Sequence, residues 1–216
     1  MLRDKPRVAV LISGRGTNMA SLVKASSGDD YPATIELVIS NNPFAPGLNL
    51  ARDLGVATDV IDHRLYGAER MAHEGIIDKR LRQLHIDYVC LAGYMRRLTD
   101  YFVGAWAERL MNIHPSLLPA FPGLNTHSRA IAAGVCVHGC TVHLVTEQLD
   151  SGPIIAQGVV PVLPTDTEAS LASRVLTIEN ALYPAALASL IRKGLVARPL
   201  ASTWLSNPLP YDHLAF

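Results

Sequence analysis

From Arg7 to about Asp87 the chain alternates short β-branched apolar runs with longer stretches whose apolar residues recur every three or four positions. RVAVLIS reads as a buried strand, followed by a glycine turn and the helical stretch MASLVKAS. ATIELVIS and APGLNLARDLG repeat the pair, and ATDVID supplies a third strand. YGAERMAHEGIIDKRLRQLH predicts a long amphipathic helix, and DYVCLAG a fourth strand ending in small residues. Strand followed by helix, repeated, predicts a parallel α/β arrangement. Right-handed crossovers then gather the carboxyl ends of the strands along one edge.

Beyond Leu98 the rhythm changes. A short helix is expected near Thr99 to Trp106, then the strand RLMNI, the proline-rich loop HPSLLPAFPGLNTH, and the strands GCTVHLVT and PIIAQGVVPV. The short EQLDSG between the last two predicts an antiparallel hairpin, and a final helix is expected from about Thr167 to Arg192. The tail from Gly194 carries three prolines and little periodicity, which predicts surface packing only. No repeat or linker divides the 216 residues, so one domain is expected over 1–216: a half to about residue 98, a second from about 99 to 193, and the tail 194–216.

Charge narrows the partners. Lysine plus arginine and aspartate plus glutamate each number 19, so no net positive field exists to hold a nucleic acid or an anionic membrane. No apolar run approaches the roughly 20 residues of a membrane span. The start, MLRDKPRVAVLIS, fits a buried strand better than a signal peptide. Three cysteines, Cys90, Cys136 and Cys140, make no disulfide framework, so a reducing compartment, the cytoplasm, is expected.

The turn Ser13-Gly14-Arg15-Gly16-Thr17-Asn18 joins the first strand to the first helix, where free backbone N–H groups and the positive helix end attract an anion. A tight turn that merely needs glycine is the competing reading. Met19 stands where a dinucleotide fold has its third glycine, and Asn41 and Asn42 stand where it has an acidic residue. No lysine follows as in a nucleoside-triphosphate loop. One phosphate of a small substrate is the expected anion.

Asn112 and His114 lie two apart at a strand end and so face the same side. An amide and an imidazole aimed at one space suit an oxyanion formed in acyl transfer, where each such donor contributes about 3 kcal/mol. Anchoring the loop that follows is the alternative. Asp150, in LDSGPI, reads alone as a turn aspartate. Should the hairpin loop reach Asn112, its carboxylate would favour a charged His114 and help take a proton from an attacking amine. Cys136, His138, Cys140 and His143 tempt a zinc assignment, but alternation turns His143 away from the other three, and no metal is expected.

VLISGRGTN, LAGYMRRL, MNIHPSLLPAFPG, HGCTVHLVTEQLDSGPIIAQ and IENALYP together resemble the phosphoribosylglycinamide formyltransferase family, in order and over nearly the whole chain short of its tail. The resemblance implies a Rossmann-like parallel N-terminal half continuous with a mixed C-terminal half in one twisted sheet flanked by helices. It implies transfer of a formyl group from 10-formyltetrahydrofolate to glycinamide ribonucleotide in purine synthesis, without a metal, by a monomer or weak homodimer. The catalytic roles fall on Asn112, His114 and Asp150. Substrate phosphate and glycinamide fall to Gly14, Gly16, Thr17, Asn18 and Glu179. Folate falls to Arg70, Leu91, Met95, Arg96, Arg97, Leu98, Leu110, Val145, Thr146, Glu147, Gln148, Leu149 and Asp150. The resemblance also makes Leu118-Pro119 a candidate cis bond. Two positions depart from the family: Arg97 replaces a more usual aliphatic residue, and Asn125 a frequent histidine.

Related enzymes that use the same carrier are the alternatives. Methionyl-tRNA formyltransferase is expected to add a basic RNA-binding domain, and 10-formyltetrahydrofolate deformylase a regulatory one, which 216 neutral residues leave no room for. A non-catalytic nucleotide-binding protein on the same scaffold gives no reason for the three polar residues to occur together.

Overall fold

A computed structural model describes residues 5–193; the tail expected from 194 lies outside the described residues. Seven strands form one sheet in the order β3-β2-β1-β4-β5-β6-β7. β1 (Arg7–Ile12), β2 (Thr34–Ser40), β3 (Ala57–Val60), β4 (Tyr88–Leu91) and β5 (Leu110–His114) run parallel. β6 (Val137–Leu144) and β7 (Ile154–Pro161) add an antiparallel hairpin beside β5. The parallel half and the mixed half are thus one continuous sheet, as expected.

Alternation along β1 splits the core into two layers. Val8, Val10 and Ile12 pack with Met19 and Leu22 of α1 (Thr17–Ser26) and with Leu171, Val175, Ile178 and Leu182 of α6 (Glu168–Lys193). Ala9 and Leu11 point the other way, onto Ile77 and Leu81 of α3 (Arg70–Gln83) and Phe102, Val103 and Trp106 around α4 (Asp100–Ala105). A strand covered on both faces has no place for a polar position, which is why VAVLI is unbroken. Each large side chain so enclosed contributes about 1.5–3 kcal/mol.

The long helix expected over 66–85 begins later. A 3₁₀ turn, His63–Tyr66, and Gly67 at φ 51° precede it, and α3 starts at Arg70. Its inner face is partly polar, with His73, Glu74 and Asp78 buried. Each has a partner, as buried polar groups require. His73 Nε2 bonds the Ile61 carbonyl at 2.8 Å, Trp106 Nε1 donates to Asp78 at 2.9 Å, and Glu74 accepts from the backbone N–H and the hydroxyl of Thr99. The last of these ties α3 to the end of the segment that follows β4.

One element was not legible in advance. α5 (Thr126–Ala132) carries only Ala130 and Thr126 inward, too little apolar spacing to announce a helix. α2 (Pro46–Asp53) opens on a proline at its first position, where the missing N–H costs nothing.

The connections decide where the sheet edge opens. The chain leaves β1 for α1 on one face and leaves β4 for α4 on the other, so neighbouring strands part at their carboxyl ends. That divergence opens a crevice.

Candidate active site

At one side of the crevice lies the glycine turn. Gly16 takes φ 75° and precedes α1 with no side-chain cap, so the first N–H groups of the helix have no acceptor within it. An added Cβ on Gly16 would meet the Gly47 backbone at 2.9 Å, because α2 starts directly against the turn. The glycines close a tight contact and also leave helix N–H groups without an acceptor, the arrangement that an anion site requires. Asn18 Nδ2 donates to Glu179 Oε2 at 2.8 Å, across 161 positions. Burial raises the Glu179 carboxyl above its ordinary range, with the Asn18 bond acting against it. The sequence-predicted residues Gly14, Gly16, Thr17, Asn18 and Glu179 thus gather at one end of the crevice.

At the other end β5 delivers Asn112 and His114. They continue the row of Leu110 on one face of the sheet, and their cross-strand partners are His143 and Thr141. His143 is buried, and that burial lowers its pKa, keeping the ring neutral. Its Nδ1 lies 2.9 Å from the Leu144 carbonyl and its Nε2 3.2 Å from Asn112 Nδ2. A neutral ring donating at Nδ1 accepts at Nε2, so the Asn112 amide presents NH₂ to it and keeps a second hydrogen for the crevice. His143 entered the sequence reading only as a metal candidate; the register that pairs it with Asn112 is a tertiary fact.

His114 is nine-tenths buried, with Nε2 3.2 Å from the Phe121 carbonyl and Nδ1 3.6 Å from Asp150 Oδ2. The hairpin loop does reach the strand end. Asp150 Oδ2 also accepts from the Gly123 N–H at 2.8 Å, so one carboxylate joins the loop after β6 to the loop after β5. Phe121, Asn125 and Asp150 adopt left-handed backbone at φ 52°, 56° and 51°. Asparagine enters that region more cheaply than most residues, which suits the departure at Asn125, the residue that opens α5.

Beneath His114 the polar loop is clamped. Thr141 Oγ1 donates to the Ser116 carbonyl at 2.7 Å and accepts from Leu118 N and Gln157 Nε2, each at 3.0 Å. Gln157 Nε2 also reaches the Leu118 carbonyl at 2.8 Å, and the Leu118-Pro119 bond is cis, as the resemblance implied. Neither Thr141 nor Gln157 was singled out from sequence. Their one signal in the sequence is a polar residue inside an otherwise apolar strand.

The segments the sequence assigned to folate flank this end. Met95 and Leu149 expose their side chains, as do Arg70 and Arg97, while Arg96, Leu98 and Val145 are half-buried. Thr146, Glu147 and Gln148 form the exposed loop leading to Asp150. Leu91 and Leu110 belong to the core; Leu110 is fully enclosed and its carbonyl bonds Val145 N at 2.9 Å, so it presents no side-chain surface to a ligand.

The Cys-His run behaves as alternation required. His138 and Cys140 point toward α6 and α5, His143 toward Asn112, and Cys136 is exposed ahead of β6. Among the described residues, no group of three or more His, Cys, Asp or Glu side chains is arranged to hold a metal ion. No helix among them is long and apolar enough to cross a membrane.

Comparison with known proteins agrees with this geometry. Residues 6–187 match the formyl transferase family model. The chain is 42% identical over 177 residues to the phosphoribosylglycinamide formyltransferase of Escherichia coli K12, covering 82% of this chain and 83% of that protein. It is 46% identical over 194 residues to the human trifunctional purine biosynthetic protein adenosine-3, but spans only 19% of that protein's length. The crystal structure of phosphoribosylglycinamide formyltransferase from Brucella melitensis is similar, with TM-score 0.83, 49% identity, and coverage of 89% of this chain and 98% of that one. With a glycine turn, a strand-end amide and imidazole, and a hairpin-loop carboxylate spread over the matched span, the chain belongs to the formyl transferase family.

Proposed function

We propose that this chain transfers the formyl group of 10-formyltetrahydrofolate to the amine of glycinamide ribonucleotide, a step of purine synthesis. The observation that carries the reading is the convergence of Asn112, His114 and Asp150, from one strand and one loop, in a crevice that ends at the glycine turn. β1 and β5 lie two strand spacings apart, or about 10 Å. That span suits a substrate with a phosphate at one end and an amine at the other. The similarity to the phosphoribosylglycinamide formyltransferases of E. coli and Brucella supports the same acceptor.

In this scheme the turn Gly14 to Asn18 grips the phosphate, and that remote grip orients the amine. Glu179, held by Asn18, faces the glycinamide end. Attack on the formyl carbon places negative charge on its oxygen, which takes as donors the free Asn112 N–H and the Nδ1–H of a charged His114, whose Nε2 stays on the Phe121 carbonyl. Asp150 offers its carboxylate to charge on that ring and assists removal of the amine proton, directly or through water; the bond from the formyl carbon to N10 then breaks, and tetrahydrofolate leaves with that proton on N10. The folate lies along Met95 to Leu98 and Thr146 to Asp150, with Arg70, Arg96 and Arg97 supplying positive charge around it. Free thiols at Cys90, Cys136 and Cys140 support a reducing compartment, which we take to be the cytoplasm. A monomer or weak homodimer is the assembly proposed.

The test mixes the protein with 10-formyltetrahydrofolate and, separately, glycinamide ribonucleotide, methionyl-tRNA, or water alone. Folate release only in the first mixture is expected. Release with water alone would make the protein a deformylase, and release with the tRNA would move it to another branch of the family. His114→Ala and Asp150→Ala should each lower turnover by at least about a hundredfold; a soluble variant with near-normal turnover removes that residue from the scheme.

A further inference from the structure

The two binding segments are joined by one hydroxyl. Ser13, the last residue before the glycine turn, donates from Oγ to Asn41 Oδ1 at 2.6 Å, and the same Oγ accepts from the backbone N–H of Met95 at 2.8 Å. Its own N–H bonds the Gly93 carbonyl at 3.1 Å. Asn41 is buried at the end of β2 and is itself held: its Nδ2 lies 3.1 Å, and its carbonyl 2.8 Å, from His63 Nδ1. The glycine turn continues the stitching, since Gly47 N donates to the Gly14 carbonyl at 3.0 Å. Four strand ends, those of β1, β2, β3 and β4, are therefore linked through Ser13 and Asn41 across the crevice.

Met95 opens the stretch that holds folate in the proposed function, and Gly14 follows Ser13 into the turn that holds the phosphate. Removing Oγ would leave the Met95 N–H and Asn41 Oδ1 each short of a partner, and each segment could then settle without the other. We propose that Ser13 is a positioning residue that couples the two substrate sites, so that filling one orders the segment that binds the other. The inference rests on the proposed function. Coupling of this kind is reciprocal: each ligand must tighten the other by the same factor, typically 5-fold or more.

The experiment uses the full chain with tetrahydrofolate and glycinamide ribonucleotide, a pair that cannot react. The dissociation constant of each is measured by calorimetry with and without a saturating amount of the other. In the unsubstituted protein a mutual tightening of at least about fivefold is expected, falling below about twofold in Ser13→Ala and returning in Ser13→Thr, which keeps the hydroxyl. In turnover, Ser13→Ala should raise both KM values about tenfold while kcat falls less than about threefold, because Asn112, His114 and Asp150 are untouched. A purely structural role would lower the melting temperature and leave the coupling factor alone. Should Ser13→Ala be insoluble, Asn41→Ser removes the acceptor with Ser13 in place and must still lower the factor. A folded Ser13→Ala with undiminished coupling, or an unsubstituted protein that binds both ligands independently, overturns the proposal and leaves the function standing. An unsubstituted protein that binds neither ligand overturns both.

Discussion

The two ends of the crevice are built on different principles. The turn after β1 offers backbone: Gly14 and Gly16 bring bare N–H groups to a helix end, and the contact that shapes them is with the backbone of Gly47. The end after β5 offers side chains, each held in place by a group from another segment: Asn112 by His143, His114 by the Phe121 carbonyl, Asp150 by Gly123. Recognition of an anion tolerates a backbone device, because many N–H groups share the load. Transfer chemistry does not, since a donor displaced by an ångström loses most of its effect. The catalytic end should therefore be the more fragile, and substitutions can be chosen to break that contrast.

The largest effect is expected at Thr141. Its hydroxyl is fully buried and makes three hydrogen bonds that hold the loop under His114. Thr141→Val keeps the shape and strands the Leu118 N–H and the Ser116 carbonyl, which should cost about 3 kcal/mol, a fall of about 6–12 °C in Tm. Thermal unfolding followed by circular dichroism measures it; a drop under about 2 °C would mean that the loop is held by packing alone.

A pair of glycines gives the next two tests, one at each end. A Cβ on Gly152 would sit 1.8 Å from the Leu144 carbonyl oxygen, so Gly152→Ala must push the loop carrying Asp150 off β6. Turnover should fall about a hundredfold, as when an acid or base is lost, with KM for glycinamide ribonucleotide little changed. A Cβ on Gly47 would meet Ile12 Cδ1 at 2.7 Å and the Gly14 carbonyl at 2.9 Å, which closes the turn. Gly47→Ala should raise that KM about tenfold and leave kcat within about threefold, the mark of lost binding that is equal in ground and transition states. Steady-state kinetics on both variants decides; if they fail in the same parameter, the two ends are not separable.

The same contrast explains what could be read from the sequence. The first half was legible because its signals are local: β-branched runs buried on both faces, and glycines between a strand and a helix. Asn112 and His114 were placed on one side by strand alternation, which the structure bears out. Asp150 was placed beside them only by resemblance, because no spacing rule connects residues 114 and 150 across a hairpin. His143, Thr141 and Gln157 went unassigned for the same reason: their partners are fixed by the β5–β6 and β6–β7 registers, which depend on the whole sheet. α5 was missed because a seven-residue helix with two inward positions has almost no periodicity to detect.

The smallest effect is one of pH, and it too is concentrated at the catalytic end. His138 lies under the loop, edge-on to Phe121 at 5.8 Å and to His127 at 5.4 Å. Burial, and next the neighbouring His127, pull its pKa down to about 4, and burial lowers His127 and His143 as well. In the unfolded chain these rings titrate near 6.5. Between the two values the unfolded chain holds protons that the folded chain refuses, so stability is full above about pH 6.5 and is lost as the pH falls toward 4. His138 contributes at most about 1.4 kcal/mol per pH unit in that window, and His127 and His143 act in the same direction. His138→Phe keeps a ring against Phe121 and removes one titrating group, so the fall in Tm between pH 7 and pH 5 should become shallower. An unchanged slope would show that other groups carry the acid sensitivity, and that the loop beneath His114 is not where the fold first yields.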